Sequence, residues 1–282
     1  AIDLVYAGDL HGNMWALKFS GIDASATNWT ANGLSRYKNN NGVAIPMYVS
    51  KDGDGNIQSI TSAPSILRIG MTDNYMVGFG TGKYIEEADR GSKSVNTYYV
   101  IYDNGINDAS GSLPAAAWPV AIDGRGRLRK VARSGFDLAV EGAVGGFQFG
   151  RPATDANNAL RSGWYYDFEE TGERIVSDGT AIPFTSSVLV NSIIPAASSA
   201  ETGVCGLEGG TSRGYRFNYF ETTGTLRITT TVMTGKPLMF TEVTDLGKAD
   251  STGRRLRKVV PYTSNPGLGI KAEEAFYIPV GR

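Results

Sequence analysis

Three observations predict an all-β fold: short runs of β-branched and aromatic residues, Gly/Asn/Asp turn signals between them, and very little helical periodicity. The 282 residues are 41% apolar and 20% charged, which is ordinary globular usage, and the 36 glycines suit a fold with many tight turns. A chain of this length accommodates one large β domain or two average ones.

Taken in order, DLVYAG from Asp3 and MWALKF from Met14 read as two strands joined by the polar turn DLHGN. There Gly12 and Asn13 tolerate positive φ, and Trp15 supplies a large apolar face for packing. The pattern continues through VAIPMYVS, a KDGDGN turn, IQSITSAPSILRI, YMVGFG, NTYYVIYD, GERIVS, SVLVNSII, TLRITTTVMT and AFYIPV. Segments 21–42 and 196–214 are rich in Ser, Asn, Gly and Thr and read as long loops. Segment 110–121 is Pro- and Ala-rich around Trp118 and reads as irregular or as one short helical turn. A loose similarity links GDLHGNMW, DFEETGERIV and FETTGTLRI, each joining β-like runs through an acidic or Asn/Gly-containing turn.

With 27 basic and 28 acidic side chains the chain has no sequence-wide field for phosphate backbones or anionic lipid, so nucleic acid is not expected as a partner. No window approaches the roughly 20 apolar residues of a membrane span, and the N-terminus lacks the order of a signal peptide. Cys205 is the only cysteine and His11 the only histidine, which excludes an internal disulfide and the paired Cys/His zinc motifs.

Several motifs invite chemistry and decline it. Asp52-Gly53-Asp54-Gly55-Asn56 starts like a calcium loop, but no Glu follows at the required place, and a DG-type hairpin turn is the better reading. Gly210-Thr211-Ser212-Arg213-Gly214 has the spacing of a nucleophile elbow without the strand-to-helix context, and reads as a Gly-rich loop. Gly78-Phe79-Gly80-Thr81-Gly82-Lys83 is not a phosphate loop, because Tyr84 stands where Ser or Thr is needed; its glycines serve close strand approach. Arg125, Arg127, Arg129, Lys130 and Arg133, and later Arg254, Arg255, Arg257 and Lys258, read as either a contact patch or a solvated strand edge. Among Tyr98, Tyr99, Tyr102, Tyr165 and Tyr166, strand alternation puts half inward and half outward.

The segment from Val5 to Trp15 (VYAGDLHGNMW) resembles the hairpin of quinoprotein-type blades. In order with QSITSAP from Gln58, VGFGTGKY from Val77, GWYYDF from Gly163 and TGERIVSD from Thr171, it is similar to the PilC/PilY family of type IV pilus tip-associated proteins. The resemblance implies that residues 1–282 are the C-terminal part of a quinoprotein-like β-propeller of the seven-bladed type, one domain fragment with earlier blades upstream. It also implies a non-enzymatic adhesin and pilus biogenesis factor, extracellular at the pilus tip or outer surface of a Gram-negative bacterium, supporting assembly, surface attachment and twitching motility. Implied partners are minor pilins, an unidentified host or abiotic surface receptor, and the N-terminal part of the same protein. Asp3 looks like the end of a calcium loop whose other ligands lie upstream, and calcium bound there would tune pilus extension and retraction. The alternative is a fragment of a dehydrogenase dependent on pyrroloquinoline quinone, since the same hairpin recurs in those propellers.

Overall fold

The computed structural model describes residues 3–19, 29–39, 41–69, 75–103, 122–123, 125–126, 128–134, 137–140, 163–182, 186–195, 211–219, 228–231, 238–249, 255–264 and 276–280. Among these residues the chain forms four sheets. The first runs β1 (Leu4–Gly8), β2 (Asn13–Lys18), β3 (Tyr48–Val49) and β7 (Ile122–Asp123). The second has the order β4 (Ser65–Arg68), β5 (Tyr75–Gly80), β6 (Thr97–Asp103), β10 (Gly163–Asp167), β8 (Arg129–Ser134) and β9 (Asp137–Val140). The third comprises β11 (Thr180–Ala181), β12 (Ser187–Ile194), β13 (Thr211–Asn218) and β14 (Ile228–Thr231). The fourth comprises β15 (Leu238–Ala249), β16 (Arg255–Ser264) and β17 (Phe276–Val280). Neighbouring strands within each sheet pair antiparallel, except β3 with β7 and β8 with β10, which are parallel. Among the described residues one α-helical turn, α1 (Ala31–Leu34), is capped by Thr30, whose hydroxyl accepts the Gly33 N–H.

Several of the expected strands match closely, among them YMVGFG as β5, NTYYVIYD as β6 and SVLVNSII as β12. Others shrink. VAIPMYVS forms a strand only at Tyr48–Val49, with a bridge from Ala44 to Lys38, and GERIVS contributes a single bridge between Arg174 and Ile193. The loop expected over 21–42 contains α1 and bridges from Ser35 and Lys38, and the one expected over 196–214 gives way to β13 at Thr211. Segment 110–121 and Cys205 lie outside the described residues.

The second sheet is covered on both faces, and its sequence shows why. Along β5 and β6, alternate residues enter opposite cores. Val77, Phe79, Tyr99 and Ile101 join Tyr6, Met14, Met47 and Tyr48 of the first sheet. Met76, Tyr98, Val100, Trp164 and Tyr166 join Val188, Val190, Tyr215 and Phe217 of the third. A strand buried on both sides has no polar face, so its apolar run is continuous. Tyr98 and Tyr99 are therefore both buried, in place of the inward and outward split that alternation implied.

Aromatic rings carry much of the packing: Tyr48 lies 5.1 Å from Tyr99, Phe79 5.5 Å from Tyr99, and Tyr98 stacks on Phe217 at 4.2 Å. Buried hydroxyls tie the sheets across these cores. Tyr6 and Tyr37 both donate to Asp103 at the end of β6, at 2.5 and 2.6 Å, and the Tyr98 and Tyr219 hydroxyls meet at 2.5 Å. Glycines make room for the contacts: a Cβ on Gly78 would lie 1.8 Å from the Tyr219 hydroxyl, and one on Gly80 2.3 Å from Ile175. The close-approach reading of this glycine run is what the structure contains.

Candidate functional site

The site is built on a hairpin used twice. In the first sheet, the Asp9 N–H donates to the Asn13 carbonyl and the Asn13 N–H to Asp9 Oδ1, both at 3.0 Å. In the second, the Thr81 N–H donates to the Thr97 carbonyl at 2.9 Å and the Thr97 N–H to Thr81 Oγ1 at 2.8 Å. The preceding residue is glycine in both, and a Cβ on Gly8 or Gly80 would strike Ile60 or Ile175 at 2.2 and 2.3 Å. Ile60 and Ile175 in turn donate their N–H groups to the carbonyls of Asp9 and Thr81. The repeat extends further: Tyr99 donates to Gln58 Oε1, and Tyr215 donates to Glu173 Oε1. Gln58-Ser59-Ile60 and Glu173-Arg174-Ile175 thus occupy corresponding places.

What differs is the content of the hairpin. Residues 10–12 make a tight turn with Gly12 at φ 76°, and the Asp9 carboxylate accepts the N–H of His11 and the side-chain N–H groups of Asn13 and Trp15. Trp15 is half-buried. Residues 82–96 instead form an inserted loop with a 3-10 helix, Glu87–Gly91. Asp89 organises its start: Oδ2 accepts the N–H groups of Ile85 and Glu86, both at 2.9 Å, and Lys83 Nζ lies 3.1 Å from Oδ1. Desolvation works against the charged carboxyl, but the amides of Glu86 and Ile85 and the Lys83 ammonium hold it below the usual range.

Arg174 fixes the rest of the loop from below. Its guanidinium is buried, at 2% exposure, and donates from Nε to the Gly172 carbonyl, from Nη1 to those of Lys83 and Asp89, and from Nη2 to that of Ser92, all within 2.7–2.9 Å. A planar cation with donors in a rigid fork suits such a cage of carbonyls, which a lysine would fill with a single point charge. Burial pulls its pKa below the usual arginine value.

A second arginine holds the facing loop. Arg125 donates from Nε to the Lys51 carbonyl at 2.8 Å, from Nη2 to Thr97 at 2.9 Å and Tyr99 at 3.1 Å, pairs with Asp167 at 2.8 Å, and stacks 4.4 Å from the Tyr165 ring. Gln58 continues the network, donating to Thr97 Oγ1 and to the Val95 carbonyl at 2.8 Å. The outward-facing reading of the Arg125, Arg127, Arg129 cluster fails at Arg125 and Arg129. Arg125 sits in a turn and points inward, and Arg129 is buried beside β10, because β8 pairs inside the sheet and not at its edge. Lys130 is exposed, Arg133 pairs with Glu169, and Arg127 and Arg254 lie outside the described residues. Arg255, Arg257 and Lys258 fall on β16.

Between the two loops lies a cavity of about 240 Å³, lined by Gln58, Ser59, Asn96, Ser92, Lys83 and Arg174 among others, with Ile57 and Val95 at its sides. Ile57 and Val95 are exposed at the cavity, and Leu10, Tyr84 and Ile85 are exposed in the loops that adjoin it. Leu10 is tied in through its carbonyl, which accepts the Ser59 hydroxyl, and Tyr84 through its ring, 6.0 Å from the Arg174 guanidinium.

The other sequence-selected residues fall elsewhere. Asp52 of the KDGDGN turn accepts the N–H groups of Asp54 and Asn56 and the Asn56 side chain, and Lys51 bridges to Ile57, so the segment is the hairpin turn expected of it. Thr211–Gly214 belong to β13, which replaces the expected loop and leaves no strand-to-helix elbow. His11 is exposed in its turn. Asp3 is exposed at the start of β1, and its carbonyl accepts the Phe19 N–H. Calcium requires roughly 6–8 oxygens. Among the described residues no group of three or more His, Cys, Asp or Glu side chains could hold a metal, so the described residues alone do not fit a calcium site around Asp3.

Residues 1–120 match the family model described as the PilY1 beta-propeller domain. This stretch of the chain belongs to the PilY1 beta-propeller family. It contains Gln58 and the whole 82–96 insertion, while Arg174 lies beyond it. The Type IV pilus biogenesis factor PilY1 of Pseudomonas aeruginosa strain PAO1 is 30% identical over 248 residues, covering 78% of this chain and 20% of that protein. A PilY1 homolog of Xylella fastidiosa is 36% identical over 116 residues, covering 41% of this chain and 7% of that protein. The chain therefore spans a fifth or less of the length of these relatives. The crystal structure of the P. aeruginosa PilY1 C-terminal domain aligns with a TM-score of 0.56 at 21% identity, covering 96% of this chain and 57% of that one. The all-β propeller expectation is thereby borne out. No helix among the described residues is long and apolar enough to cross a membrane.

Proposed function

We propose that this chain acts in type IV pilus biogenesis as a non-enzymatic, surface-exposed tip component. Its PilY1 relatives bear the name of pilus biogenesis factors, and that kinship carries the reading. The architecture suits a binding role: a central sheet buried on both faces anchors the loops, and rigid scaffolds with functional loops are how such folds recognise partners. Minor pilins are the partners this reading names, with adhesion to a host or abiotic surface and support of twitching motility as consequences. Deletion of residues 1–282 from the full-length protein should abolish surface pili and pull-down of minor pilins, with both restored by the intact gene. Normal piliation and pilin capture by the deletion would overturn the reading.

Calcium regulation is a separate part of the proposal, with Asp3 as the ligand this chain would supply and the remaining oxygens coming from elsewhere. Calorimetry of the full-length protein should show calcium binding that Asp3→Ala weakens; equal binding by both proteins would remove Asp3 from the site.

A further inference from the structure

The first three sheets repeat one register. Ala7 pairs with Trp15, Phe79 with Tyr99 and Val190 with Tyr215, so β1, β5 and β12 hold corresponding places, as do β2, β6 and β13. On its other side β5 is covered by β4, in which Ser65 faces Gly78, and β12 by β11, in which Thr180 faces Leu189. Tyr6 stands at that level on β1. Among the described residues β1 has no such cover and ends its sheet. Its pairing with β2 includes the Phe19 N–H on the Asp3 carbonyl and the Asp9 N–H on the Asn13 carbonyl. By antiparallel alternation the backbone groups of Val5 and Ala7 are therefore spent on β2, and those of Leu4, Tyr6 and Gly8 face the open side. An open row of this kind is a template for another strand.

The two covering strands share a lead-in. Set side by side by the structure, QSITSAPS from Gln58 and ERIVSDGT from Glu173 agree in kind at four positions. These are Gln or Glu, Ile two residues on, a buried Ser two after that, and Ser or Thr where the strand begins. Each lead-in is fastened at its second residue: the Gly82 N–H donates to the Ser59 carbonyl at 2.7 Å, and the Ile193 N–H to the Arg174 carbonyl at 2.8 Å. Gly82 lies three residues past Phe79 and Ile193 three past Val190; three past Ala7 lies Leu10, which is 52% exposed. No third copy of the four-position pattern occurs in the 282 residues.

We propose that the open side of β1 receives a short antiparallel strand from a segment of the same protein outside residues 1–282. Its two counterparts in this chain define it: a small residue faces Tyr6, the lead-in carries an aliphatic residue with a serine two places on, and a lead-in carbonyl accepts the Leu10 N–H. The Gln or Glu is not required at this edge. It serves the hydroxyls of Tyr99 and Tyr215, whereas Trp15 at the same level gives its N–H to Asp9. A second copy of residues 1–282 is a poor donor, because both copies of the pattern are already placed in their own sheets. The rest of the protein has the length to supply the strand, since the chain spans 20% of the P. aeruginosa PilY1 and 57% of the crystallised C-terminal domain. Strand addition to such an edge draws its affinity from main-chain bonds and its selectivity from alternate side chains. The inference holds whatever the assembled protein binds.

The test uses the full-length protein. A photo-reactive phenylalanine analogue at Leu10 should cross-link to one peptide of the same polypeptide outside residues 1–282, and the analogue at Val43, exposed on another element, should not. Hydrogen exchange at Leu4, Tyr6 and Gly8, whose amides β2 leaves free, should be roughly a hundredfold slower than at the exposed turn amide of Gly53. Leu4→Pro removes an N–H that only the incoming strand uses, so it should lower the cross-linking yield roughly tenfold. Continued protection of the Val5 and Ala7 amides shows that β1 itself is intact in this variant. A cross-link to a second copy, seen as a product of twice the mass, or to a pilus subunit overturns the proposed occupant. A peptide from within residues 1–282, or rapid exchange at Leu4, Tyr6 and Gly8, overturns the added strand. The piliation test of the pilus reading stands apart from every one of these results.

Discussion

The hairpins at 9–13 and 81–97 are closed by the same pair of hydrogen bonds, back onto the same kind of glycine, and are pinned by corresponding isoleucines, yet they use the shared frame differently. The first closes at once through Asp9, whose carboxylate meets four donors within its own turn and strand. The second closes through the small hydroxyl of Thr81 and leaves the interior of the loop to be organised by Asp89 and, from another segment, by Arg174. A local turn needs only local chemistry. A long insertion needs a distant clamp, and that dependence makes the second hairpin the place where one substitution reshapes a surface.

The sharpest test of the contrast is Arg174→Met. It strips the Lys83, Asp89, Ser92 and Gly172 carbonyls of their donor, and an expected loss of about 4 kcal/mol follows from breaking a buried charged network. Urea unfolding measures the loss, and hydrogen exchange should quicken across 83–95 while the amides of 10–13 keep their protection. Equal acceleration in both hairpins would show that Arg174 supports the whole sheet and not the insertion.

Gly80→Ala probes what the hairpins share. The new Cβ would fall 2.3 Å from the stem of Ile175, a contact no rotamer relieves, and the expected cost is about 3 kcal/mol. Gly8→Ala, against Ile60 at 2.2 Å, should cost a similar amount. A large difference between the two in urea midpoint would break the correspondence.

How far the sequence reveals this depends on the range of the interactions. β5 and β6 are readable because a strand buried on both faces is apolar throughout, but the same continuity hides which core each tyrosine enters. Single-sequence alternation assumed one wet face, and Tyr98 and Tyr99 contradict it only because a third sheet packs on the second. The Gln58 and Glu173 correspondence is invisible in the sequence because the hairpins and turns before them differ in length. Arg125 reads as surface charge because its carbonyl and carboxylate partners are distant in sequence, and three of the four carbonyls that hold Arg174 lie more than 80 residues away. One cue existed: Glu173 and Arg174 stand between the turn glycine Gly172 and the apolar Ile175-Val176, where a charged pair entering a buried strand needs partners nearby.

Glu173 and Gln58 sharpen the comparison by charge. Glu173 is buried, accepts the hydroxyls of Ser192 and Tyr215, and lies 3.3 Å from Arg213. Burial dominates and raises its pKa despite these bonds and the arginine. A raised carboxyl contributes stability that is complete below its ordinary pKa and is lost as pH rises through the elevated value. Glu173→Ala should cost about 2 kcal/mol by leaving both hydroxyls unpaired. Glu173→Gln, which copies the neutral group used at Gln58, should cost less and flatten the decline in stability from acid to neutral pH. Urea midpoints across that range measure it, and an undiminished decline in the Gln variant would assign the titration to another group.

The smallest expected effect exchanges one closure for the other. Desolvation would raise the Asp9 pKa, but the side chains of Asn13 and Trp15 and the backbone N–H groups of Asn13 and His11 outweigh it and hold the carboxyl below its usual value. A depressed carboxyl contributes stability that is present above the ordinary carboxylate pKa and lost as pH falls through the depressed value, so the first hairpin is sensitive to acid. Thr81, in the corresponding place, has nothing to titrate there. Asp9→Thr should retain the bond from the Asn13 N–H, lose those from the Asn13 and Trp15 side chains, and cost about 1 kcal/mol at neutral pH. At a pH well below the depressed value the difference should vanish, because protonated Asp9 has lost the same advantage. Exchange rates of the His11 and Asn13 amides follow this hairpin directly, and a constant difference between the two proteins at every pH would mean that the Asp9 charge contributes nothing to the closure.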